Sequence, residues 1–362
     1  MPSVTGLEGV IAAETAISLV DGENGRLLYR GYEAKDLAIR YSFEEVAYLL
    51  LYGSLPTEIE LEQFSSKLKE LRDIPDHIIS IINLLPKDTE MMSVLRTAMS
   101  SLGDSSFGWK PDINQAIQVI AIIPTIIAYR HHSINGSIFH EPNNTLDHVS
   151  NYLYMLNGEI PSHTHIKALS TYMILTLEHG MNASTFSARA VLSTETDLIS
   201  AITGAIGSMK GPLHGGAPSE VMAMLDSIGT IDQAEHWLRD RLENKEKIMG
   251  FGHRIYKTHD PRSVALKQVS QELSGKDPWL DLALHVEEMS IRLLDEYKPG
   301  RKLYTNVEFY AAAVMRAVNM PAELFTPTFT ASRVVGWTSH LLEQAENNRI
   351  FRPQSKYVGP TI

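Results

Sequence analysis

Apolar and polar residues alternate with a helical period along most of this chain. Ser42 followed by Glu45 makes a capping-box signal ahead of the apolar run Val46-Ala47-Tyr48-Leu49-Leu50, and Gly53 supplies a stop. Thr57 with Glu60 repeats the signal, after which Leu61, Phe64, Leu68 and Leu71 fall on one helical face. The same periodicity predicts helices over 91–102, 112–130, 165–178, 197–208, 219–228, 261–273, 280–297, 307–318 and 332–347. The opening differs: residues 15–19 and 27–29 flank Asp21-Gly22-Glu23-Asn24-Gly25, a stretch dense in turn formers, and predict a small β hairpin. Few alternating runs follow residue 30. The predicted fold class is therefore all-α with a minor N-terminal β hairpin.

Composition adds limits. The chain has 362 residues, 44% hydrophobic and 21% charged, enough for one large domain or two. A formal net charge of −11 disfavours nucleic acid and anionic membrane surfaces as partners. If the substrates are anions, the site must gather positive charge locally. The absence of cysteine excludes a disulfide framework, a thiolate metal site and a thiol nucleophile, and fits a cytoplasmic location. The first basic residue is Arg26, so the start lacks the basic region of a signal peptide. The most apolar run, 117–128, contains Gln118 and Pro124 and is too short to cross a bilayer, so it reads as a buried, kinked helix. Glycine and proline cluster over 207–218 and at Lys298-Pro299-Gly300-Arg301, positions suited to hinges around a smaller domain.

Three separated segments carry the chemistry. In Gly211-Pro212-Leu213-His214-Gly215-Gly216-Ala217-Pro218, a histidine stands just before a helix start, where the dipole disfavours imidazolium. A neutral imidazole there can donate an N–H to a developing oxyanion. In Met249-Gly250-Phe251-Gly252-His253, a second histidine closes a glycine turn, with Arg254, Lys257 and Arg262 available for carboxylate or phosphate. In Thr305-Asn306-Val307-Glu308, a carboxylate opens an apolar helix, where partial desolvation raises its pKa towards that of a useful base. Two histidines and a carboxylate suit removal of a proton from carbon and stabilisation of the oxyanions that follow. The pairs His131-His132 and His163/His165 lack acidic or cysteine partners at ligand spacing and read as surface histidines, not as a metal site.

Taken together and in order, Gly-Pro-Leu-His-Gly-Gly-Ala, Met-Gly-Phe-Gly-His-Arg, Asp-Pro-Arg and Asn-Val-Glu resemble the citrate synthase family, in its compact bacterial and archaeal homodimeric form. The resemblance runs from Asp21-Gly22 to Arg352-Pro353. It implies a large helical domain, 1–212 with 319–362, and a small one, 213–318, with the active site in the cleft between them. It implies condensation of acetyl-CoA with oxaloacetate and water to citrate and CoA, with no metal and no tightly bound cofactor. 2-Methylcitrate synthases, which use propionyl-CoA, share the motifs, and a weakly active ligand-binding paralogue is a further alternative. The resemblance implies that His214 meets the thioester oxygen, that His253 polarises the ketone and protonates the alkoxide, and that Glu308 is the base. It implies substrate contacts from His179, Arg262 and Arg333, and from Arg352 donated across a homodimer interface. It places Met249, Gly250, Phe251, Gly252 and Lys257 around CoA. One departure stands out: the family base is usually aspartate, and here it is Glu308.

Overall fold

The computed structural model describes residues 5–7, 9–215, 217–252, 255–272, 274–275, 278–301 and 303–361. Among them, three short strands precede seventeen helices. Strands β1 (Ser18–Asp21), β2 (Arg26–Tyr29) and β3 (Tyr32–Glu33) form an antiparallel sheet in sequence order, with Ser18 opposite Tyr29 and Tyr29 opposite Tyr32. The first half of the helical part comprises α1 (Ala34–Arg40), α2 (Phe43–Tyr52), α3 (Glu58–Glu70), α4 (Asp76–Leu84), α5 (Met91–Leu102), α6 (Ile113–Asn135), α7 (His148–Asn157) and α8 (His163–Thr176). Then follow α9 (Ala183–Leu192), α10 (Leu198–Met209), α11 (Pro212–Gly215), α12 (Ala217–Ile228), α13 (Ile231–Glu243), α14 (Pro261–Glu272), α15 (Pro278–Tyr297), α16 (Val307–Ala317) and α17 (Phe325–Glu346).

The caps explain the starts. Ser42 and Thr57 each accept from the backbone N–H three residues on and receive Glu45 and Glu60 in return, the reciprocal box that the sequence predicts. Gly53 ends α2 in the left-handed region at φ 92°. Asp112, Asp147, Ser162, Asn182 and Asp197 cap α6 to α10 in the same way, side-chain oxygen to N–H.

Helix α6 is longer than the predicted 112–130 and runs to Asn135 with Pro124 inside it. At 23 residues it is long and apolar enough to cross a membrane by length and composition alone. Most of it is buried within the protein, where Ile120, Ile123, Ile126 and Ile127 are wholly enclosed. The same helix corrects one expectation. His132 is not at the surface: it is buried, with Nδ1 2.7 Å from Ser137 Oγ and Nε2 2.8 Å from the Met155 carbonyl. His163 is exposed and His165 half-buried, and no group able to hold a metal is found among the described residues.

Helix α17 also starts earlier than predicted, at Phe325, and is buried along most of its length. Its face carries Arg333, Gly336, Trp337 and His340 towards the end of α8 and the start of α9. A side chain at Gly336 would place its Cβ 2.3 Å from the Leu177 carbonyl and 2.4 Å from Glu178 Oε2, so only glycine permits this approach. That close crossing sets the floor of the site.

Candidate active site

Two of the three chemical segments are laced together by backbone. Gly252 N–H donates to the Tyr304 carbonyl at 2.7 Å and Asn306 N–H to Gly250 O at 2.9 Å, with Phe251 bridged to Thr305. The Asn306 side chain adds a bond to Gly252 O at 3.0 Å. Gly250 adopts φ +85°, and a Cβ there would come within 2.8 Å of the Phe309 side chain, so the glycine turn lets this loop lie flat on α16. Thr305 Oγ1 donates to the buried Glu287 carboxylate at 2.8 Å, which fixes the loop from behind. His253, the next residue along, lies outside the described residues, as does Arg254.

The third segment reaches the same place from the other side. His214 stands on the single turn α11, and Thr326 Oγ1 holds that turn by donating to the Gly215 carbonyl at 2.7 Å. Its imidazole Nε2 lies 2.7 Å from Ser184 Oγ, and its ring meets Phe329 edge-on at 6.4 Å. Trp337 Nε1 donates to the same Ser184 oxygen at 3.0 Å. With Nε2 committed to Ser184, Nδ1 is the nitrogen left for the cavity. The Ser184 hydroxyl has one hydrogen, and Asn182 Oδ1 at 2.8 Å competes with His214 Nε2 for it. When that hydrogen goes to Nε2, the neutral ring carries its own at Nδ1 and can donate it.

A cavity of about 270 Å³ gathers these groups. His179, His214, Arg262, Glu308 and Arg333 all line it, five of the residues singled out in the sequence. Its apolar wall includes Leu213, Val307, Ala311 and Phe329. The electrostatics differ for each group. Burial lowers the His214 pKa to about 4, helped by the positive charge of Arg333, so the ring is neutral near pH 7. Burial raises the Glu308 carboxyl above the ordinary range against the pull of Arg262, with Asp260 adding to the rise. Part of the Glu308 side chain faces the cavity, but its Oε2 is sealed from solvent with no hydrogen-bond partner among the described residues. The carboxyl's own enclosure therefore governs its titration.

The two arginines are used differently. Arg262 is buried and gives its Nε and Nη2 to Asp260, at 3.0 and 2.8 Å. Part of the fork assigned to substrate from the sequence is thus taken by a carboxylate two residues away. Arg333 is equally buried, donates Nε to the Thr176 carbonyl at 2.8 Å and lies 4.7 Å from the Phe329 ring, yet forms no salt bridge among the described residues. It is the cation that an anionic ligand would meet. His179 Nε2 lies 3.0 Å from Tyr256 Oη, which orients the ring.

The remaining sequence candidates lie elsewhere. Arg352 is exposed on the segment after α17 and does not line this cavity. Lys257 is exposed, tied by its backbone N–H to the Gly22 carbonyl of the β1–β2 turn at 2.9 Å. Met249 and Phe251 are half-buried around the glycine turn, and Phe251 packs 5.3 Å from the Phe309 ring. The sequence gives no signal for Ser184 and Trp337, and it shows Asn182 and Asp260 beside His179 and Arg262 without giving either a role. Asn182 carried a readable signal as the cap of α9, where it accepts from Thr185 N–H at 3.1 Å and lies 2.8 Å from Ser184 Oγ.

A model of the family "Citrate synthase, C-terminal domain" matches residues 6–354. This chain belongs to the citrate synthase family. The citrate synthase of Synechocystis is 40% identical over 98% of this chain and 90% of its own length. The 2-methylcitrate synthase of Shewanella oneidensis is 41% identical over 98% of this chain and 94% of its own. A solved ternary complex of the Thermoplasma acidophilum citrate synthase with carboxymethyl-coenzyme A and oxaloacetate superposes with a TM-score of 0.89 at 31% identity, covering 99% of this chain and 96% of that one. Family membership makes the chain an enzyme, and the all-α fold accords with it.

Proposed function

We propose that this chain condenses acetyl-CoA with oxaloacetate and water to give citrate and CoA, as a homodimer. One observation carries the reading. Among the described residues, a buried carboxylate oxygen with no hydrogen-bond partner, an imidazole kept neutral and an arginine that forms no salt bridge share a single cavity. The Thermoplasma relative, crystallised with carboxymethyl-coenzyme A and oxaloacetate, supports the choice of substrates.

Oxaloacetate binds first, its carboxylates met by Arg333, by Arg262 and by Arg352 of the partner subunit, with His179 at its keto end. Residues 213–318 then close on 1–212 and 319–362 to complete the thioester site and exclude water. The loop Met249 to Gly252, with Lys257, receives CoA. Glu308 takes a proton from the methyl carbon, and its C–H electron pair moves into the thioester as the enol forms. His214 Nδ1–H stabilises the charge on the thioester oxygen. The nucleophilic carbon attacks the oxaloacetate ketone and forms the new C–C bond, and His253 protonates the alkoxide. Water then adds to the citryl thioester carbonyl, the C–S bond breaks and CoA leaves as its thiol. These steps need no metal and no resident cofactor.

The test is CoA release followed with a thiol reagent, which meets no background in a chain without cysteine. Release from acetyl-CoA with oxaloacetate supports the reading. Faster release from propionyl-CoA moves the chain to the 2-methylcitrate synthases, the activity named for the Shewanella relative. Saturable binding without turnover refutes an enzyme of either kind and leaves a ligand-binding paralogue.

A further inference from the structure

We propose that Glu178, outside the cavity and one residue before His179, is a positioning residue that trims the positive charge Arg333 presents to an anionic substrate. The inference rests on the reading of this cavity as a site for a keto diacid.

Glu178 is wholly buried at the end of α8, behind the cavity wall. Its Oε1 accepts from Ser18 Oγ at 2.9 Å and from His340 Nε2 at 3.0 Å. His340 is itself fixed. Arg189 Nη1 lies 2.7 Å from His340 Nδ1, and a guanidinium only donates, so Nδ1 accepts and the N–H sits at Nε2. Arg189 is held in turn by Glu343 Oε2 at 2.9 Å and Gln344 Oε1 at 3.0 Å. The Ser18 hydroxyl and the His340 Nε2–H therefore both point a hydrogen at the Glu178 carboxylate. Burial works against the charge, but His340, Arg333 and Ser18 outweigh it and hold the carboxyl below the usual carboxylate range.

The second oxygen, Oε2, is buried with no hydrogen-bond partner among the described residues and packs against Gly336, one turn along α17 from Arg333. A carboxylate left with an unpartnered oxygen in this setting is costly, and a neutral amide of the same shape would keep both bonds at Oε1. What the amide would lose is the negative charge felt by Arg333, whose pKa Glu178 raises against burial. The cavity's cations are thus paired with acids behind the wall, Arg262 with Asp260 by contact and Arg333 with Glu178 at longer range. Binding of a dianion must compete with that pairing, which keeps substrate and product exchangeable.

The experiment titrates oxaloacetate calorimetrically into the wild-type dimer and its Glu178→Gln, Glu178→Asp and Ser18→Ala variants. Removing one buried charge near the ligand is expected to tighten the Glu178→Gln Kd by about three- to tenfold. Glu178→Asp, which restores the charge, and Ser18→Ala, which removes one donor but leaves the charge, are expected to bind as the wild type does. Weaker or unchanged binding in Glu178→Gln, or an equal shift in Glu178→Asp, overturns the inference, because a purely structural role loosens the site or leaves it alone. If Glu178→Gln does not fold, Ser18→Ala decides: a changed Kd there refutes a charge effect. A wild-type protein that binds no oxaloacetate refutes the proposed function itself, and this inference with it.

Discussion

Replacing Glu308 separates charge from shape at the centre of the site. Glu308→Gln keeps the volume and removes the base. General-base catalysis contributes about 10²- to 10⁴-fold, so turnover should fall by that factor, equivalent to about 3–5 kcal/mol on the barrier. Stability should move the other way. The folded-state pKa of Glu308 is raised by burial, so the native protein holds this proton more tightly than the unfolded chain does. The stabilising protonated form is fully present below the ordinary value of 4.5 and is lost as pH rises through the raised value. At neutral pH the buried, unpartnered carboxylate is therefore a burden, and the Gln variant should be more stable by about 1–3 kcal/mol in urea unfolding. That advantage should vanish at pH values below the ordinary one. Glu308→Asp shortens the arm by one methylene and restores the family's usual base. A displacement of about 1 Å changes rates by about a hundredfold, and the Asp variant is expected at or above wild-type turnover. The assay is CoA release under saturating oxaloacetate, paired with denaturation at two pH values. Undiminished turnover in Glu308→Gln, or a Gln variant less stable than wild type at neutral pH, refutes the reasoning.

Further expectations follow from the neighbours. His214 has a depressed pKa, about 4 against an ordinary 6.5, so its contribution to stability is complete above 6.5 and lost as pH falls towards 4. The full shift would be worth about 3 kcal/mol, and about 2 after allowance for the part of the ring that water reaches, and His214→Asn should flatten stability across that window by this amount. Ser184→Ala should lower turnover about 5- to 30-fold by freeing the His214 tautomer, while leaving the affinity for oxaloacetate unchanged; a proportionate loss of affinity would count against the tautomer role. Inactive Glu308→Gln and Arg352→Ala proteins, unfolded and refolded together, should regain about a quarter of wild-type activity, because each hybrid dimer has one complete site. No recovery would place Arg352 outside the partner's site.

The parts of the fold that sequence made visible were those with strong local signals. The capping boxes at Ser42 and Thr57 and the broad apolar faces of α5, α10 and α15 needed no tertiary information. Helix α13 was missed because its buried stripe is only Ala234, Leu238 and Leu242 on an otherwise polar segment. Helix α4 begins after Pro75 with no side-chain cap, and α9 is rich in serine, threonine and alanine, which carry little periodic contrast. The front of α17 was hidden by Pro327 and a run of threonines, residues that settle into a helix here through burial. In the site, the motif residues were legible because glycine, histidine and arginine stand together in the chain. The residues that set their behaviour were not. Ser184 and Trp337 act on His214 across 30 and 123 positions, and Glu178 meets His340 across 162. Only folding brings such pairs within reach, and burial then decides which groups keep their charge.

The most direct measurement is a crystal structure of the dimer with oxaloacetate and a non-reactive acetyl-CoA analogue. The account predicts the methyl-equivalent carbon about 3–3.5 Å from a Glu308 carboxylate oxygen. It also predicts the thioester-equivalent oxygen within hydrogen-bond reach of His214 Nδ1, with one oxaloacetate carboxylate on Arg333. An analogue whose reactive carbon faces away from Glu308, or an oxaloacetate bound without Arg333, contradicts it.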